Sequence, residues 1–120
     1  RVVTLHEVVE ESDCLRLVME LVEGGDLCEH LAQRGGWLPE PEARYVFVQM
    51  AEGLQYIHSK GIVHRDVKPD NVLVDSRASR EGLLEVKLID FGHSLAIGGT
   101  ESSERVGTPL YMAPEAWDTS

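Results

Sequence analysis

The chain carries few basic residues. Its 120 residues include 11 lysines and arginines against 21 aspartates and glutamates, for a formal net charge of −10. Surfaces that bind nucleic acid or anionic membranes need an excess of positive charge, so this composition argues against both kinds of partner. Cysteine is also scarce. Cys14 and Cys28 lack the spacing of a metal site, and free thiols in a reducing compartment are the favoured interpretation.

Long apolar runs and targeting segments are lacking too. No run approaches the ~20 apolar residues that a helix needs to span a bilayer, and there is neither a signal peptide nor an initiator methionine. With the cysteines, these features favour a cytoplasmic location and leave a nuclear one open. The chain begins within a β-rich stretch, "RVVTLHEVV", so we expect a piece of a longer protein. A hydrophobic content of 42% is typical of a globular chain, and the length allows one small domain.

The first half of the chain predicts a hairpin followed by helices. Two β-rich runs, Val2 to Val9 and Leu15 to Val22, flank the polar turn "EESD". A glycine pair then ends the second run, and Asp26 is placed to cap a short helix. A long amphipathic helix follows, and Gly61 ends it. Its apolar residues recur at helical spacing, at Val46, Phe47, Met50, Leu54 and Ile57.

The second half predicts short strands between polar segments. The stretch "GIVHRDVKPDN" at 61–71 is too polar and too proline-marked for a helix or a strand. Two short strands, "VLV" at 72–74 and "VKLID" at 86–90, enclose a long polar loop that contains "SRASREGLL". Lengthening a surface loop costs little entropy, so the loop should be tolerated. If the two strands pair, Asn71 and Asp90 emerge at the same end of the pair.

The segment "HRDVKPDN" at 64–71 sets a carboxylate between two permanent cations. A hydroxyl that attacks phosphorus must lose its proton, and Asp66 is a carboxylate able to accept it. Lys68 can neutralise charge on the transferred phosphoryl group. Asn71 and Asp90 offer the oxygen ligands preferred by Mg²⁺, which accompanies a nucleotide. These residues therefore predict phosphoryl transfer from a magnesium–nucleotide complex.

Three motifs resemble those of the eukaryotic-type protein kinases. "HRDVKPDN" is similar to their catalytic loop, "DFG" at 90–92 to the magnesium loop, and "GTPLYMAPE" at 107–115 to the end of the activation segment. Each motif alone recurs by chance, and Asp66 or Asp90 alone could be a turn or cap residue. Their order, after a long helix and around a strand pair, makes the resemblance specific, and it covers essentially all 120 residues.

The resemblance implies an α+β fold that is an incomplete kinase domain. Residues 1–22 would hold the last two strands of the small lobe and the hinge, and residues 23–120 the N-terminal half of the helical large lobe. The glycine-rich loop, the strand lysine and its partner glutamate would lie upstream, and further helices downstream. Three hypotheses stay open: an active kinase in the intact protein, a pseudokinase or scaffold module, and an inactive truncated fragment.

The resemblance also implies roles for individual residues. Asp66 would be the catalytic base, Lys68 would contact the γ-phosphate, and Thr108 would bond to both of them. Asn71 and Asp90 would hold Mg²⁺. Around the adenine, Met19 would be the gatekeeper, and the carbonyl of Glu20 and the amide of Val22 would bond the adenine edge. Asp26 would reach the ribose or a basic substrate residue. Leu73 would form the floor of the adenine pocket, with Leu27 below it.

The implied cofactors are ATP and Mg²⁺, and the implied partners are protein substrates. Lys68 lies two residues after Asp66, as in serine/threonine kinases, whereas tyrosine kinases usually carry an Ala/Arg arrangement there. "GGDL" and "KLIDFG" resemble the calcium/calmodulin-dependent branch. His64 and Phe91 would stack in the hydrophobic spine that links the lobes, with Leu5 above them.

Arg65 resembles the arginine that binds an anion on the activation segment of many such kinases. The anion is often a phosphate three residues before the "GTP" glycine, and that position is Glu104 here. We hypothesise that the Glu104 carboxylate partly substitutes for a phosphate. The alternatives are that Glu104 is a solvated acid, or that Thr100, Ser102 or Ser103 is the true phosphosite. His93, directly after "DFG", receives no role.

Overall fold

The computed structural model describes residues 1–98 and 105–117 of the chain. Its strands form three antiparallel pairs, β1–β2, β3–β6 and β4–β5. In chain order the elements are β1 (Leu5–Glu10), β2 (Leu15–Met19), α1 (Leu27–Gln33), α2 (Glu40–Ser59), β3 (Ile62–Val63), a 3-10 turn (Pro69–Asn71), β4 (Val72–Val74), β5 (Val86–Leu88), β6 (Leu95–Ala96), a second 3-10 turn (Pro109–Tyr111) and α3 (Pro114–Trp117).

The predicted N-terminal hairpin is confirmed, although β1 begins later than Val2. The register joins Leu5 to Met19 and Glu10 to Leu15, with an irregularity between Leu5 and Glu7. The first residues run along β5 instead: the Val3 N–H donates to the Leu88 carbonyl at 3.0 Å. Val3 is buried there, and this burial explains why the apolar start of the chain leaves the hairpin.

The short helix α1 has the predicted cap. Asp26 is its N-cap residue, and the Glu29 N–H donates to Asp26 Oδ1 at 2.8 Å. The Glu29 side chain reaches back to the Asp26 N–H at 3.3 Å, which completes a capping box. Leu27 is the buried residue of this helix and belongs to the core.

The long helix α2 is also confirmed, with Pro41 and two acids in its first turn and Gly61 beyond its end. Val46 and Ile57 are buried as the apolar pattern predicts, but Phe47 is 69% exposed. The buried face instead contains Gln49. Its amide is satisfied by the backbone of the β5 region, which is why a polar side chain is tolerated there.

The β4–β5 pair forms the centre of the core. Its register joins Val72 to Leu88, Leu73 to Lys87 and Val74 to Val86. The loop between the strands is closed by a hydrogen bond from the Asp75 N–H to the Glu85 carbonyl at 2.8 Å. The core cluster comprises Leu27, Val46, Val72, Val74, Leu84, Val86 and Leu88.

The prediction that residues 61–71 contain no strand is wrong. Ile62 and Val63 form β3, which pairs with Leu95 and Ala96 of β6. The Ile97 N–H adds a hydrogen bond to the Gly61 carbonyl at 2.6 Å. This short pairing depends on a segment more than 30 residues away, so the local composition does not reveal it. Each helix within the described residues is either too short or too polar to span a membrane.

Candidate active site

Asp66 lies at the centre of a compact polar cluster. The Thr108 hydroxyl donates to Asp66 Oδ1 at 2.8 Å, and Lys68 Nζ donates to the same hydroxyl oxygen at 2.6 Å. Lys68 Nζ also lies 3.6 Å from Asp66 Oδ2. Asn71 Nδ2 donates to the Asp66 carbonyl at 2.8 Å. The structure therefore brings together the catalytic-loop residues and Thr108, which is distant in sequence.

The electrostatic surroundings keep Asp66 ionised. Burial by itself raises the pKa of the Asp66 carboxyl, because a charged group loses solvation there. The Thr108 hydrogen bond, the Lys68 charge and the Asn71 hydrogen bond act in the opposite direction and bring this pKa below its ordinary value. Asp66 is thus a buried carboxylate that is available as a hydrogen-bond and proton acceptor.

The backbone of this loop is held by His64, which is almost completely buried. The Asp66 N–H donates to His64 Nδ1 at 3.2 Å, so the ring proton lies on Nε2, which donates to the Ile89 carbonyl at 2.9 Å. The ring meets Phe91 edge to face, with centroids 5.2 Å apart. His64 thereby ties the "HRD" segment to the residues just before and after Asp90.

Arg65 adopts a left-handed backbone conformation, with φ at 67°. Its Nε donates to the His93 carbonyl at 2.5 Å, and the His93 ring lies 3.9 Å from Asp66 Oδ2. Sequence reasoning gave His93 no role, and its place directly after "DFG" was the one available signal. The proposed partner of Arg65, Glu104, lies outside the described residues, as do Thr100, Ser102 and Ser103, so that hypothesis stays a prediction.

Asn71 and Asp90 lie at the same end of the β4–β5 pair. The Ile89 N–H donates to the Asn71 carbonyl at 3.0 Å, which extends the ladder to the residue before Asp90. The Gly92 N–H donates to Asp90 Oδ1 at 3.1 Å. The Asn71 amide nitrogen is engaged by Asp66, so the cation ligand that this side chain offers is its amide oxygen. One amide and one carboxylate at a common edge fit a hard cation such as Mg²⁺.

A cavity of about 960 Å³ lies between the hairpin and the β4–β5 pair. Its walls include Leu5 and Leu17 from the hairpin, and Phe91 from the "DFG" motif. The predicted nucleotide-site residues that line it are Met19, Asp26, Leu73, Asn71 and Asp90. Its lining is mostly apolar with a few polar groups, which is the usual character of a small-molecule site.

Glu20 and Val22 are not among the residues that line this cavity. The Glu20 side chain points to other partners: Oε2 accepts from Lys87 Nζ at 2.7 Å, and Oε1 accepts from the Thr4 N–H at 2.9 Å. Asp26 lines the cavity and also caps α1, so one of its carboxylate oxygens is already engaged. Sequence reasoning missed Lys87, because its spacing from Glu20 carries no local signal.

Comparison with known proteins shows that the family described as "Protein kinase domain" matches residues 1–120. Serine/threonine-protein kinase PEPKR2 of Arabidopsis thaliana is 41% identical over 96% of this chain and 23% of its own length. "Probable myosin light chain kinase" of Dictyostelium discoideum is 43% identical over 95% of the chain and 32% of its own. CBL-interacting protein kinase 8 of Oryza sativa is 40% identical over 95% of this chain and 24% of its own length. The chain thus spans a quarter to a third of the length of these curated relatives.

Proposed function

Because the chain belongs to the protein kinase domain family, we propose that the intact protein transfers the γ-phosphate of ATP to serine or threonine hydroxyls of proteins. The observation that carries this proposal is the Asp66 cluster. The Asp66 carboxylate is buried, one of its oxygens accepts from Thr108, and the other faces Lys68, near a cavity whose lining includes Asn71 and Asp90. The names of similar proteins support the serine/threonine class of acceptor.

In this proposal Asp66 accepts the proton of the substrate hydroxyl as the new oxygen–phosphorus bond forms and the bond to the leaving ADP oxygen breaks. The lowered pKa of Asp66 keeps it unprotonated before the reaction. Thr108 orients the carboxylate through the hydrogen bond to Oδ1. Lys68, fixed by the same hydroxyl, supplies positive charge where the transferred group is most negative.

The nucleotide would occupy the cavity. Met19 and Leu73 would contact the adenine from two walls, and Asp26 would face the ribose or a basic substrate residue. The Glu20 carbonyl and the Val22 amide do not line the cavity but follow its lining residue Met19 along the chain, and in this proposal they bond the adenine edge. Asn71 and Asp90 would hold Mg²⁺, which when bound neutralises phosphate charge.

The test is Asp66→Asn in the intact protein. The amide has nearly the same shape and is a poor proton acceptor, so ATP binding should persist while phosphotransfer falls by about 10²-fold or more. Asp13→Asn, at an exposed position in the hairpin turn, is the matched control and should retain the wild-type rate. A near-normal rate for Asp66→Asn would overturn the assignment of the base. Wild-type protein that binds ATP without turnover would instead favour a pseudokinase or scaffold module.

A further inference from the structure

Lys87 lies in the middle of β5 and reaches across to the segment that follows the hairpin. Its Nζ donates to Glu20 Oε2 at 2.7 Å, and the two side chains are 27% and 23% exposed. The other Glu20 oxygen accepts from the Thr4 N–H, and the Glu20 N–H donates to the Thr4 carbonyl at 2.9 Å. Glu20 is therefore held on both carboxylate oxygens and on its backbone.

The Lys87–Glu20 pair is partly shielded from water, and its hydrogen bond affects the titration of Glu20. The Lys87 hydrogen bond, followed by that of the Thr4 backbone, lowers the pKa of Glu20 below its ordinary value against a smaller effect of burial. A half-buried pair is screened less by water and salt than an exposed one. A second pair, between Arg77 and Glu23, has similar distances of 2.8 Å, but its side chains are 78% and 43% exposed.

The Lys87–Glu20 pair joins two walls of the cavity. Met19, the residue before Glu20, lines one wall, and Leu73, the cross-strand partner of Lys87, lines another. Asp90, three residues after Lys87, also lines the cavity. Movement of the Glu20 segment away from β5 would therefore widen the space between Met19 and Leu73.

We propose that Lys87 is a positioning residue for the nucleotide. By binding Glu20, it sets the distance between the Met19–Val22 segment and the β4–β5 pair, and so preorganises the adenine end of the cavity. This inference rests on the proposed function for the identity of the nucleotide. Preorganisation lowers the cost of binding, so the expected signature is a change in ATP affinity with little change in the chemical step.

The experiment uses the intact protein and four variants. Lys87→Met keeps most of the aliphatic stem and removes the charge, and it should raise both the Kd and the KM for ATP by roughly five- to tenfold, with kcat within about twofold. Lys87→Arg, which keeps the positive charge, should stay near the wild-type affinity. Glu20→Gln keeps a side-chain carbonyl oxygen for the Thr4 N–H and removes the charge that Lys87 pairs with, so it should weaken ATP binding about as much as Lys87→Met does. The control Arg77→Met removes the exposed pair and should change the Kd by less than about twofold.

Two results would overturn the inference: an unchanged ATP affinity in Lys87→Met, or equal losses in Lys87→Met and Arg77→Met. If Lys87→Met does not fold, an unchanged ATP affinity in Glu20→Gln would overturn it as well. The outcome is separable from that of the proposed function. If the wild type binds ATP but transfers no phosphate, the kinase proposal is wrong. If Lys87→Met then still weakens ATP binding, the positioning role of Lys87 is supported independently of phosphotransfer.

Discussion

The hairpin β1–β2 and the pair β4–β5 are both two-stranded antiparallel ladders, yet they differ sharply in burial. All five residues of β2 are exposed, including Leu15, Leu17 and Val18. In β4–β5, by contrast, Val72 and Leu88 are almost completely buried. Cross-strand hydrogen bonding is therefore not what makes a strand pair part of the core.

The difference arises from what covers each pair. The core cluster places residues of β4 and β5 against Leu27 of α1 and Val46 of α2, whereas the hairpin has the cavity on one side. An isolated two-stranded hairpin is marginally stable in water. We therefore expect β4–β5 to carry the stability of the chain, and the hairpin to act mainly as a wall of the candidate site.

The largest expected effect tests this contrast directly. Leu88→Ala removes a buried side chain from β5 and should lower the free energy of unfolding by about 2–5 kcal/mol, since it leaves a cavity in the core. Leu17→Ala, the same change at an exposed hairpin position, should cost less than about 1 kcal/mol. Urea denaturation of both variants checks the comparison, and equal losses would contradict it.

A second prediction concerns the polar support of β5. Gln49 donates to the Leu84 carbonyl at 2.7 Å and accepts from the Val86 N–H at 2.9 Å, so it pairs with the backbone at the start of this strand. Gln49→Leu leaves both groups buried without partners, at about 1–3 kcal/mol for each, and burial of the leucine side chain offsets part of this cost. The net loss in the free energy of unfolding should therefore be smaller than that of Leu88→Ala. Gln55→Leu, at an exposed position of the same helix, is the matched control. Comparable unfolding midpoints for the two variants would show that the Gln49 bonds are dispensable.

A third prediction follows from the lowered pKa of Asp66. A carboxyl whose pKa is lower in the folded state contributes stability above its ordinary value of 3.8, and that contribution is lost as the pH falls through the lowered value. The free energy of unfolding of Asp66→Asn should therefore depend less steeply on pH than that of the wild type in this acidic range. Asp13→Asn is the control. Parallel stability curves for wild type and Asp66→Asn, from denaturation at a series of pH values, would contradict the predicted coupling.

The smallest effect is expected in the hairpin. Arg16 and Glu11 form an ion pair at 3.1 Å with side chains 67% and 37% exposed. Exposed pairs contribute about 0–1 kcal/mol, so Arg16→Met should leave the unfolding midpoint and its salt dependence nearly unchanged. A larger loss, measured by the same denaturation, would mean that the hairpin contributes more to stability than its exposure indicates.

Much of the fold could be predicted because it depends on local patterns. The apolar spacing and the following glycine predicted α2, and Asp26 with the glycine pair before it predicted the start of α1. The position of Asn71 before one short strand and Asp90 after the next predicted that they meet. Each of these inferences needs only neighbouring residues and standard geometry.

The sequence by itself determined helices α1 and α2, the two main strand pairs, the order of the kinase motifs and the side chains available for chemistry. Tertiary structure alone decided the β3–β6 pairing, the burial of Gln49, the approach of His93 to Asp66 and the Lys87–Glu20 pair. Glu20 and Lys87 are separated by 67 residues, and their distance depends on how the hairpin and β5 pack. Local propensity acts over a few residues, whereas these contacts form only when the whole chain packs into its tertiary structure.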